Sequence, residues 1–65
     1  MQLIVNGDEH HLVVRTLAEV VAHFELESQL VVTEVNGEII DRSQWEATEI
    51  EDGMKIELVQ FVGGG

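Results

Sequence analysis

Nothing but burial can hold this chain together. Its 65 residues carry no cysteine to cross-link them, and the sequence shows no cluster of spaced ligands for a structural metal. Burying a large apolar side chain returns roughly 1.5–3 kcal/mol, against about 1–2 kcal/mol of backbone entropy for each ordered residue. The core must therefore be efficient and the stability modest. One small domain is the expectation, too short to build both a packed core and the walled cleft of most enzymes. A carrier, a binding module or an inhibitor fits that size.

The local patterns supply one helix and several strands. Thr16-Leu17-Ala18-Glu19 has the form of a capping box, in which the Thr hydroxyl and the Glu carboxylate satisfy orphan N–H groups at a helix start. Leu17, Val20, Val21 and Phe24 follow at the spacing of one buried helix face. Before the helix, residues 2–6 and 9–14 are short apolar or alternating runs separated by Asn6-Gly7-Asp8, which predicts a hairpin. After it, Leu30 to Val35 is rich in β-branched residues and closes on Asn36-Gly37. Glu38-Ile39-Ile40 reads as a short strand, and Asp41 to Trp45 as a capped turn or short helix that carries Trp45 inward. Asp52-Gly53 makes the last turn, and Met54 to Phe61 the last strand. This order predicts an α+β roll: a mixed sheet of four to five strands with one main helix packed across one face.

Period-two alternation then assigns the faces of that sheet. Leu3, Val5, Val31, Val35, Ile56 and Leu58 go to the helix side, while Ile4, Val32, Val59 and Phe61 go to the open side. The domain is expected to span 1–61, with 62–65 a flexible C-terminal glycine tail.

Charge narrows the partners. Thirteen Asp and Glu against three Lys and Arg give a formal net charge of −10, which repels phosphate backbones and anionic membrane surfaces. Nucleic acid and membrane are not expected as partners; steering toward a basic protein surface is the positive reading of the same charge. The apolar start, Leu3-Ile4-Val5, is too short for a signal peptide, and no stretch is long enough to cross a bilayer. A cytoplasmic location is expected, and the absence of cysteine agrees with a reducing compartment.

The chemistry points to the C-terminus. Gly63-Gly64-Gly65 follows Phe61-Val62 with no polar spacer, and glycine without a Cβ can thread a narrow channel in backbone conformations closed to other residues. Such a tail brings a carboxylate close to a reactive group held by a partner. No catalytic residue stands out in the chain itself. Ser28 and Ser43 lack a nucleophile signature. His10 and His11, as strand neighbours, point to opposite faces and cannot converge on one metal; they read as surface residues, as does His23. Trp45 reads as a packing residue.

Taken together, the hairpin, the Thr16-capped helix, the segment from Val35 to Ile40 followed by Arg42 and Trp45, the Asp52-Gly53 turn and the closing Phe61-Val62-Gly63-Gly64-Gly65 resemble the sulfur carrier family of thiamin biosynthesis, the ThiS family. The resemblance runs the length of the chain. It implies the ubiquitin-like β-grasp fold and a protein co-substrate rather than an enzyme. By that resemblance, an adenylating, E1-like activating enzyme uses ATP and Mg²⁺ on the terminal carboxylate of Gly65, and a sulfur-donating protein supplies the sulfur that replaces one oxygen. The thiocarboxylate then serves thiazole synthase. Gly63 and Gly64 would occupy the partner's channel. No cofactor is expected on this chain, which has no P-loop.

Within the wider family, ubiquitin has an arginine before its two glycines and an isoleucine at the centre of its receptor face. Here Phe61-Val62-Gly63 and Glu34 stand at those places, which disfavours protein tagging. The resemblance also covers the small subunit of molybdopterin synthase, so a sulfur carrier for molybdopterin or another sulfur pathway is the alternative, beside a β-grasp interaction module with an inert tail. Ile4, Val32, Val59, Phe61 and Val62 are the candidate docking residues, the first four for their place on the open face and Val62 for its place at the start of the tail.

Overall fold

The computed structural model describes residues 1–61. Val62, Gly63, Gly64 and Gly65, the tail expected from the sequence, lie outside the described residues. The chain opens with a hairpin of β1 (Gln2–Val5) and β2 (Asp8–His11), followed by helix α1 (Leu17–His23). A second hairpin pairs β3 (Val31–Val35) with β4 (Glu38–Ile40), a 3₁₀ turn spans Arg42–Gln44, and β5 (Lys55–Gln60) comes last. The five strands form one sheet in the order β2-β1-β5-β3-β4. β1 and β5 run parallel, and all the other pairs are antiparallel. This is the mixed sheet with a single main helix that the sequence patterns predict.

Both hairpins close on Asn-Gly. Val5 pairs with Asp8 and Val35 with Glu38, leaving two-residue loops. Asn6 and Gly7 have φ of 50° and 84°, and Asn36 and Gly37 have 49° and 87°. Two consecutive left-handed residues match the right-handed twist of the flanking strands, and Asn and Gly are the residues that adopt them at least cost.

Several strands are shorter than their apolar runs. The sequence extends the second strand to Val14, but its ladder stops at His11, because β1 begins at Gln2, the partner of His11. Leu12 makes two more bonds, its N–H donating to the Met1 carbonyl at 2.9 Å and its carbonyl accepting from the Met1 ammonium at 2.8 Å. The chain then leaves the sheet with Leu12 and Val14 buried and Val13 exposed. Leu30, Met54 and Phe61 likewise fall just outside the strands assigned to them.

The core lies between α1 and one face of the sheet. Leu3, Val5, Val31, Val35, Ile56 and Leu58 are all buried there, as alternation predicts, against Leu17, Val20 and Val21 of the helix. The capping box is complete: Thr16 Oγ1 accepts from the Glu19 N–H, and Glu19 Oε2 accepts from the Thr16 N–H at 3.1 Å. Phe24 is the helix C-cap and is half-buried. The end is sealed by Glu25 N–H donating to the Ala22 carbonyl at 3.0 Å and Leu26 N–H to the Val21 carbonyl at 3.4 Å. This Schellman arrangement places Glu25 at φ 54°, a position where glycine carries no Cβ penalty.

One polar side chain enters the core. Thr33 is fully buried on β3. Trp45 Nε1 donates to its hydroxyl oxygen at 2.9 Å, and the hydroxyl donates onward to the Ile40 carbonyl at 2.8 Å. The relay pins the segment after β4 beneath the sheet and lets the indole bury without an orphan N–H.

Two substitutions test this description. Thr33→Val keeps the shape but orphans the buried indole N–H, and urea unfolding should show a loss of about 1–3 kcal/mol; unchanged stability would contradict the relay. Glu25→Gly should raise stability by about 1 kcal/mol through relief of the left-handed backbone, read as a higher urea midpoint at constant slope.

Candidate functional site at the end of the central strand

The strand that leads into the glycines is the middle strand of the sheet. β5 is flanked by β1 on one side and by β3 on the other. At its far end the Phe61 N–H donates to the Leu30 carbonyl at 2.8 Å, which holds the backbone up to the last described residue.

The two hairpin turns fasten β5 from opposite sides. From the first, the Asn6 N–H donates to the Ile56 carbonyl at 2.9 Å. The Asn6 side chain accepts from the Leu58 N–H at 2.8 Å and donates to the Leu58 carbonyl at 3.1 Å, taking the place of one more strand residue. From the second, the Asn36 N–H donates to the Lys55 carbonyl at 2.7 Å, and Asn36 Oδ1 accepts from the Lys55 N–H at 2.9 Å. Sequence reasoning treats these asparagines only as turn formers. The missed signal is the amide itself: at Asn6, a side chain that must both donate and accept cannot be replaced by the carboxylate of Asp, an equally common turn residue.

On the open face, Val32 sits directly opposite Val59. They are 38% and 51% exposed, and Phe61, two residues beyond Val59, is 56% exposed. These three candidate docking residues form one apolar strip at the end of β5. Ile4 does not join it. Its partner on β5 is Lys55, four residues before Val59 and therefore about 13 Å away along the strand. Val62 lies outside the described residues. A residue not singled out by the sequence, Ile39, is 68% exposed on the same face, opposite Glu34.

The other polar candidates have local structural partners. His11 is exposed and pairs with Gln2 on the open face, whereas His10 pairs with Leu3 on the helix side. His10 is half-buried there, its ring edge-to-face with Phe24 at 5.2 Å. It is not the plain surface residue expected, because the edge strand brings it over the helix cap. His23 is exposed and touches the same ring at 5.0 Å. Ser43 caps the 3₁₀ turn with Asp41: hydrogen bonds from the Ser43 hydroxyl and then from its backbone N–H, with the Arg42 charge adding, hold the Asp41 carboxyl below the usual carboxylate range. Ser28 lines a groove with Val32, Ile39 and Arg42 beside β4. Trp45 is buried, in the packing role expected of it.

A central strand whose end is clamped, with an apolar strip beside that end, is one part of the evidence for identity. The other is comparison with known proteins. The ThiS family model matches residues 3–65, nearly the entire chain and all of its glycines. The chain belongs to the ThiS family. It is 40% identical over 50 residues to the sulfur carrier protein ThiS of Bacillus subtilis (strain 168), covering 77% of this chain and 76% of that protein. It is also 33% identical over 66 residues to a thiazole synthase of Paramagnetospirillum magneticum; all of the chain is covered, but it spans only 20% of that relative. The crystal structure of the thiamine biosynthesis protein ThiS from Geobacter metallireducens superposes with a TM-score of 0.84 at 30% identity, covering 100% of both chains. The mixed sheet and single helix are thus the β-grasp fold of ThiS structures.

In this ThiS-family chain the Asn6 clamp is open to a direct test. Asn6→Gly keeps the left-handed turn but removes both side-chain bonds to Leu58. It should cost about 1–3 kcal/mol and speed hydrogen exchange at the Leu58 amide; exchange as slow as in the parent chain would rule the clamp out.

Proposed function

We propose that this chain is a sulfur carrier of thiamin biosynthesis that bears sulfur on the carbonyl carbon of Gly65. The observation that carries the reading is the family match, which runs through the final glycine. A carboxylate is a poor acyl donor, because its charge and resonance repel nucleophiles. Attack of the Gly65 carboxylate on the α-phosphate of ATP expels pyrophosphate and forms an acyl adenylate. The outer sulfur of a protein persulfide then displaces AMP to give an acyl disulfide, and a thiol attacks the other sulfur, forming a disulfide with it and releasing the thiocarboxylate. ATP and Mg²⁺ belong to the adenylating enzyme, and a separate protein donates the sulfur. The chain has no cysteine to hold sulfur on a side chain, which leaves the terminal carbon as the attachment point.

The chain is accordingly a co-substrate and not a catalyst. Gly63 and Gly64 form the slender lead into the adenylating site, where the absence of Cβ lets the backbone pass a narrow channel. Thiazole synthase is the acceptor; the thiazole synthase relative that matches this whole chain over one part of its own length supports the pairing. Val32, Val59 and Phe61 dock the activating enzyme beside the tail, and Val62, the next residue in sequence, is assigned to the same contact. Ile4, on the same face about 13 Å farther back along the strand, lies within the span of an ordinary interface and is assigned to its edge. The site of action is the cytoplasm; among the described residues no helix is long and apolar enough to cross a membrane.

Intact-mass spectrometry tests the chemistry. After incubation with ATP, the activating enzyme and a sulfur source, the chain should gain the mass difference of one oxygen exchanged for sulfur, and deletion of Gly65 should abolish the gain while the fold persists. An unchanged mass with an enzyme that loads another ThiS would point to an inert module. Phe61→Asp should raise the KM for the chain about tenfold in the same reaction, with its circular dichroism spectrum unaltered; an unchanged KM would remove Phe61 from the docking strip.

A further inference from the structure

We infer that the open sheet face docks a cationic side chain, arginine or lysine set among apolar neighbours, on the surface of the adenylating enzyme. The inference rests on the carrier reading above and adds the chemistry of the surface that meets this chain. Glu34 on β3 lies directly opposite Glu57 on β5. Residues so paired point to the same side of the sheet with Cα atoms about 5 Å apart, and like charges in that register destabilise a free sheet. Both glutamates are half-buried. They are bounded on one side by the Val32–Val59 pair and on another by Ile39, which is paired with Glu34 across β3 and β4. Lys55 and Asn36 line the same depression on the remaining side, so the two carboxylates have apolar neighbours on two sides and one cation on the third, one residue pair away from the strip of Val32, Val59 and Phe61.

Folding does not require this arrangement. The open face is not packed against the helix, and a neutral or oppositely charged pair would serve the sheet better. A partner cation placed between the two carboxylates removes their repulsion, and the surrounding Val32, Val59 and Ile39 exclude water from the contact as it forms. Along the strands of this face, Glu9, Glu34 and Glu57 are opposed by Lys55 alone among the described residues. The formal net charge of −10 extends the same attraction to longer range and speeds encounter with a basic surface.

The double variant Glu34→Gln, Glu57→Gln separates docking from folding. Thermal unfolding of the free chain should shift to higher temperature, since the repulsion is gone. Pyrophosphate release by the cognate adenylating enzyme should show a KM about tenfold higher at unchanged kcat, and a kcat/KM that falls less steeply with added salt. Glu46→Gln with Glu49→Gln makes the same change in net charge at two exposed residues in the loop that meets the start of α1, and it should leave KM near the parent value. A KM and salt slope unchanged in the open-face variant would overturn the inference, as would an equal loss in the control pair. Failure of the parent chain itself to be adenylated by an active enzyme would instead overturn the carrier reading on which the inference rests.

Discussion

The fold depends on the insertion of its last strand between two hairpins made earlier in the chain. β1–β2 and β3–β4 are local, each closed by Asn-Gly, and neither ribbon alone would be more than marginally stable in water. β5 joins them, pairing with β1 in parallel and β3 in antiparallel register. Its Ile56 and Leu58 complete the face on which α1 packs. The asparagine amides make the joint specific: each turn ends its own hairpin and also bonds to a backbone group of β5. The segment that precedes the glycines in sequence is thus the strand on which both hairpins depend.

That coupling separates the requirements on neighbouring residues. Along β5, Ile56 and Leu58 must satisfy the core, while Lys55, Glu57 and Val59 alternate onto the other face, where packing imposes little. A single strand therefore carries core residues on one side and the proposed docking residues on the other. The Thr33–Trp45 relay shows the opposite case, a polar group taken into the core because it satisfies an indole that would otherwise bury an unpaired N–H.

Most of the architecture was legible because it rests on local signals. The capping box at Thr16, the two Asn-Gly turns and the alternation in β3 and β5 each have a physical cause contained within a few residues. What escaped was long-range. The end of β2 is set by where β1 begins, and no pattern inside residues 9–14 records that. The distance of Ile4 from the Val32–Val59 strip escaped because alternation gives a face but not a register, and only the pairing with Lys55 places it toward the start of β5. His10 was read as a surface residue because its contact, Phe24, arrives from the end of the helix. The glycine tail stood out for a different reason: glycines after an apolar strand have few structural uses, and the family model extends through them; the role of Gly65 is the proposal made above.

The open face also explains how so acidic a chain remains foldable with so little core. Self-repulsion weakens a compact state most when like charges are forced close together and dried. Most of these carboxylates avoid both conditions, standing exposed at strand starts, as Asp8 and Glu38 do, or in turns and loops, as Glu46, Glu51 and Asp52 do. Others are turned to structural use: Glu19 in the capping box, Asp41 on the 3₁₀ turn, and Asp52, whose Oδ1 accepts from the Gln2 N–H at 2.6 Å. The Glu34–Glu57 pair alone among the cross-strand pairs of the sheet sets two carboxylates face to face. A partner cation meeting this pair, as proposed above, would add to Lys55, which already borders the two carboxylates, and would relieve the conflict on the face that the helix leaves uncovered.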